Sequence, residues 1–135
     1  VIDLYECGPM VKNLNASLLI DEYKDKNVLS ISTIEHFGRH PMAQTGQYED
    51  AKVAIRFMDA IKNNATNWLI TTPVGDNLVF EDYLKTSKLD WLIMKRLNIE
   101  NEWALTDKFD FNYTPYKNFP SADAIFIISN LLHLL

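Results

Sequence analysis

The stretch SLLIDEYKDKNVLSISTIE, residues 17–35, decides the fold. Two aliphatic runs flank a charged one, Lys24-Asp25-Lys26-Asn27. That pattern predicts a β-hairpin with arms over Ser17–Tyr23 and Asn27–Ile34. Asp-Lys is not a favoured two-residue hairpin turn, so the register stays open. A hairpin here would make the surrounding sheet antiparallel.

Working outward, VIDLYEC (1–7) alternates tolerably and predicts a first strand, stopped by Gly8-Pro9. On the other side, YEDAKVAIRFMDAIKNN (48–64) carries the clearest helical signal. Ala51, Ala54, Ile55, Met58 and Ile61 share one face, with Lys52, Arg56 and Asp59 elsewhere. Thr45 is the N-cap candidate, and Glu49 and Asp50 suit the positive end of the helix dipole. NWLITT (67–72) and NLVFE (77–81) read as two strands around the turn residues Pro73-Val74-Gly75-Asp76.

A second helix is predicted over KLDWLIMKRL (88–97), capped by Ser87 with Asp90 three residues later. KFDFNYT (108–114) alternates strictly and predicts a half-buried strand with Phe109, Phe111 and Tyr113 inward. Ser121 precedes the last apolar segment, which reads as a helix, although its Ile125–Ile128 run suits a strand equally. Strands and helices mix without strict alternation. The expectation is therefore a single α+β domain over 1–135, with a mainly antiparallel sheet of about five or six strands and two or three helices.

A chain of 135 residues, 47% hydrophobic and 23% charged, is long enough to bury one core without staples. The net charge of -5 disfavours direct nucleic-acid binding, which needs a basic face. It suits instead a basic protein partner, whose approach the field would speed. Cys7 is the sole cysteine, so no intrachain disulfide can form and a reducing compartment is the simpler reading. Asn15, Asn64 and Asn112 each open an Asn-x-Ser/Thr triplet, but an Asn-rich chain produces such matches by chance. The closing run AIFIISNLLHLL is too short to cross a bilayer, so no membrane association is expected and the cytoplasm is the expected location.

EHFGRHP (35–41) holds two of the three histidines with a carboxylate and an arginine. His36 and His40 have the spacing of helical zinc ligands, yet Gly38 between them and Pro41 after them argue against a helix. The stretch is expected to be a strand-to-helix loop. Histidine titrates near neutrality, so Glu35, His36, Arg39 and His40 form the candidate catalytic or metal-binding set. Other constellations are weaker. Glu22-Tyr23-Lys24 with Asp3 superficially matches a nuclease metal site but sits in a charged turn. His133 lies in the apolar tail, and nothing activates Cys7. No cofactor motif appears.

ENEWALTDKFDFNYTPY (100–116) interleaves carboxylates with aromatics. Glu100, Glu102, Trp103, Asp107, Asp110 and Tyr116 are the candidate partner-binding residues, because aromatics favour interfaces and carboxylates anchor Lys or Arg. The leading expectation is a small acidic binding protein, an inhibitor or antitoxin-like immunity protein that neutralises a basic partner such as a toxin nuclease. The alternative is a small hydrolase or metal-assisted enzyme using His36, His40 and nearby carboxylates.

Overall fold

The computed structural model describes residues 2–3, 8–10, 12–13, 20–38, 50, 52–97, 102–107 and 124–134. In chain order the described strands are β1 (Ile2–Asp3), β2 (Lys12–Asn13), β3 (Asn27–Ile31), β4 (Asn67–Pro73), β5 (Trp91–Arg96), β6 (Trp103–Thr106) and β7 (Ala124–Ser129). Helix α1 (Val53–Asn64) joins β3 to β4, and α2 (Leu78–Thr86) joins β4 to β5. The fold is α+β. Its main sheet has five strands in the order β3-β4-β7-β5-β6, and β1 and β2 form a separate parallel pair.

Three of the four pairings in the main sheet are antiparallel, and only β3 with β4 is parallel. The predicted hairpin is therefore corrected. Ile20–Tyr23 forms a 3-10 turn rather than a strand arm, and β3 pairs with β4, in register Leu29 opposite Leu69. Its partner lies beyond α1 because Asp25, at φ 56°, bends the chain onto the helix's end. The Asp25 N–H donates to the Asn64 carbonyl (3.0 Å), and the Thr66 N–H donates to that of Lys26 (2.8 Å).

Three other segments differ from expectation. NLVFE opens α2, because Asn77 caps the Phe80 N–H (3.1 Å) and Phe80 and Leu84 bury one face at helical spacing. WLIMKR is strand β5, not a helix. A strand flanked on both sides and apolar on both faces reads as a continuous run, and that run fits either period. Ala124–Ser129 is likewise strand β7, followed by a short 3-10 turn at Leu132–Leu134. KFDFNYT and Thr45 lie outside the described residues.

β4 shows strict alternation. Trp68, Ile70 and Thr72 are buried, while Leu69, Thr71 and Pro73 are half-buried. The register puts Ile70 beside Ile128 and Ile93 beside Phe126 on the same deep face. Ala54, Phe57, Met58 and Ile61 of α1 and Phe80 and Leu84 of α2 complete that cluster. Both helices thus pack on one face of the sheet. The Tyr83 hydroxyl donates to Asp59 (2.7 Å) and ties α2 to α1. Burial, reinforced by Asp59, pushes the Tyr83 hydroxyl's pKa upward.

Phe126 sits at the centre, packed edge-on against Trp91 at 5.6 Å. Phe126→Ala is expected to cost about 3–5 kcal/mol by urea denaturation, the range for emptying an aromatic core site. Leu29→Ala, at an exposed edge position, should change stability by less than about 0.5 kcal/mol.

Candidate functional site

Strands β4 and β5 both run antiparallel to β7, so they point the same way as each other, and β3 is parallel to β4. The carboxyl ends of β3, β4 and β5 consequently gather at one edge of the sheet. In sheets of helix-linked parallel strands, that edge is where ligands bind. Among the described residues, Glu35 and His36 follow β3, and Asp76 and Asn77 follow β4.

After β3, Ser32 takes a left-handed conformation (φ 47°), and its N–H donates to the Thr71 carbonyl (3.0 Å). The turn releases the strand into the 3-10 segment Ile34–His36. Ile34 is fully buried and anchors the turn. Glu35 is buried too, at 1% exposure, and accepts a hydrogen bond from the Ser32 hydroxyl (2.6 Å). The His36 ring lies outside it, 59% exposed, with Nε2 3.8 Å from Glu35 Oε1. A buried carboxylate, fixed by a serine, thus backs an exposed imidazole. A carboxylate within 3.8 Å of an exposed imidazole is an arrangement that acid–base chemistry by histidine can use.

Phe37 packs edge-on against Phe57 of α1 at 4.8 Å, holding the turn to the helix layer. At Gly38 (φ 78°) the carbonyl accepts the Asp50 N–H (3.2 Å), and a Cβ would overlap the Asp50 carbonyl. Gly38 and Asp50 therefore lie side by side. Asp50 accepts from Arg56 (2.6 Å) and from the Lys52 N–H (3.1 Å), in that order the main reasons its carboxyl stays below the usual range.

Beside it, the segment after β4 turns through Val74, whose N–H donates to the Ala124 carbonyl (2.9 Å). Asp76 and Asn77 are both buried. Asn77 uses its oxygen to cap α2, while its amide nitrogen is buried without a partner among the described residues. Glu81, also buried, reaches back to accept the Gly75 N–H. Burial raises the Glu81 carboxyl above the usual range, and the Gly75 hydrogen bond offsets part of that.

Of the residues singled out in the sequence, Glu35 and His36 meet at this edge, while Arg39 and His40 lie outside the described residues. Glu102 and Trp103 also belong to it, because Arg96 at the end of β5 pairs with Trp103 and the Leu97 N–H donates to the Glu102 carbonyl (2.8 Å). Asp107 follows the opposite end of the four-residue strand β6. Glu100, Asp110 and Tyr116 are outside the described residues. His133 is exposed and follows β7, whose carboxyl end lies at the other edge. Sequence reading missed Asp76, Asn77 and Glu81. Asp76 was assigned to a plain turn and Asn77 and Glu81 to a strand, although Asn77 followed by an apolar run is an N-cap signal.

Among the described residues no group of three or more His, Cys, Asp or Glu side chains is placed to hold a metal ion, and no helix is long and apolar enough to cross a membrane. No family model matches the chain, and neither a curated protein nor a solved structure does.

Two outcomes follow for this edge. Gly38→Ala should destabilise by at least about 1 kcal/mol in denaturant titration, since the left-handed backbone and the Asp50 carbonyl both oppose a side chain. Glu81 has a folded-state pKa above its unfolded value, so its favourable contribution is present at low pH and lost as pH rises through the folded pKa. Glu81→Gln, which keeps an acceptor for Gly75, should therefore raise the melting temperature at pH 7. The gain should vanish as pH falls towards the ordinary glutamate value of about 4.3. A gain that grew on acidification would contradict the assignment.

Proposed function

We propose that this chain handles a small molecule at the carboxyl edge of β3, β4 and β5, with His36 as the acid–base group and Glu35 as the carboxylate that positions it. The observation that carries this reading is the Glu35–His36 arrangement: an exposed imidazole 3.8 Å from a carboxylate exposed by only 1%. Placement at the end of a parallel strand, beside the buried Asp76 and Asn77, supports the same reading. Hydrolysis of an ester or a related acyl or phosphoryl group fits a histidine that shuttles a proton to and from water. The reading needs no resident metal.

The test is turnover of a panel of chromogenic carboxylic and phosphoric esters. His36→Gln should lower the rate by about 10²–10⁴-fold, the usual worth of a positioned acid–base group. Glu35→Gln should lower it less and alter its pH profile. Equal turnover by wild type and His36→Gln would end the proposal.

A second reading retains binding to a basic protein partner. β6 exposes Leu105 between the exposed Glu102 and Asp107, with the half-buried Trp103 on the same strand. An apolar centre flanked by carboxylates suits a basic surface. Proteins captured on the immobilised chain should be basic, release as salt rises, and fail to bind Glu102→Lys. Capture that is indifferent to salt and to that charge reversal would exclude it.

A further inference from the structure

Strand β3 is an edge of the main sheet among the described residues, hydrogen-bonded on one side to β4. Its outward-facing backbone groups form a row with no described partner. Leu29 and Ile31 stand 66% and 63% exposed on it, on the face opposite the helices, while Val28 packs against the core. Edge strands are ordinarily blunted by a lysine, a proline, a bulge or an inward charge. Asn27–Ile31 carries none of these.

The strand is also held rigid at both ends. Asp25 and Lys26 are tied to the end of α1 and to Thr66, and the Ser32 N–H is tied to Thr71. The Asn67 side-chain amide donates to that of Asn27 (2.9 Å) across the first rung. An incoming strand would meet a pre-formed template and lose little entropy in ordering it.

We propose that this edge pairs with β3 of a second copy of the chain. The charge pattern selects that occupant. In an antiparallel pair centred on Leu29, Leu29 faces its own copy and Ile31 faces Asn27. Val28 faces Ser30, Lys26 faces Ser32, and Asp25 faces Thr33. No charge meets a like charge, whereas the chain as a whole, at a net charge of -5, repels itself elsewhere. A two-fold axis through Leu29, perpendicular to the sheet, keeps the helices of both copies on one side. The two five-stranded sheets then run on as one, and Leu29 and Ile31 are partly covered by their counterparts.

The experiment is sedimentation equilibrium of the full chain from about 1 to 200 μM, a range that reads micromolar dissociation constants, with hydrogen exchange of the β3 amides at both extremes. Wild type should form a reversible dimer, and the outward-facing amides of Leu29 and Ile31 should exchange more slowly at high concentration. Leu29→Lys places like charges face to face on the axis and should weaken association by at least ~10-fold. Ile31→Lys serves if Leu29→Lys melts early. A wild type that stays monomeric throughout would overturn the proposal. So would a dimer with concentration-independent β3 exchange, or one that either folded variant leaves unchanged.

Discussion

Everything in the main sheet depends on β7 lying between β4 and β5. The last strand in sequence pairs on one side with β4, Ile70 opposite Ile128, and on the other with β5, Ile93 opposite Phe126. Without it the sheet would fall into two separate pieces, β3-β4 and β5-β6. Two side chains lock it to β4. The Ser129 hydroxyl donates to the Trp68 carbonyl, while the Asn130 amide donates to the Thr66 carbonyl and accepts the Trp68 N–H, both at 3.0 Å. These contacts span more than sixty residues of chain, so the sheet cannot be completed until its final strand is available. Such non-local closure is entropically slow.

The same insertion fixes where chemistry can occur. Because β7 runs against its neighbours, β4 and β5 stay co-directional without touching, and their carboxyl ends open at the same edge as that of β3. A simple antiparallel meander would have alternated those ends and scattered Glu35, Asp76 and Asn77 between two edges. The helices contribute from one side only. α1 seats Phe57 under Phe37 and so holds the Glu35–His36 turn in place, and α2 begins with the Asn77 cap that closes the neighbouring loop.

The sequence revealed the fold class more readily than the elements that make it up. Helix α1 was legible because Ala54, Met58 and Ile61 repeat at helical spacing and bury one face. β4 was legible because NWLITT is a short apolar and β-branched run bounded by turn residues, although the alternation in its burial is not written in its character. NLVFE and WLIMKR exchanged identities because short apolar runs satisfy both periods, and only sheet position settles which applies. The parallel β3–β4 pairing was invisible, since local sequence does not show that the turn at Asp25 leads the chain onto α1 rather than back upon itself.

At the site, residue type alone could mark EHFGRHP, but not rank its members. Gly38 and Pro41 argue against a helical meaning of the His36–His40 spacing, and His40 lies outside the described residues. What the sequence could not show is that Glu35 points inward, to a serine three residues earlier, while His36 remains in water beside it. That inward turn follows from Ser32. Its left-handed backbone ends β3 one residue after Ile31 and starts the 3-10 segment that buries Ile34 and Glu35 together. Burial of an aliphatic side chain thus carries a carboxylate below the surface, and the next residue, on the far side of a tight turn, is left facing solvent. The polarity of the pair therefore follows from hydrophobic anchoring at Ile34. Weakening that anchor should loosen the histidine's positioning before it unfolds the sheet.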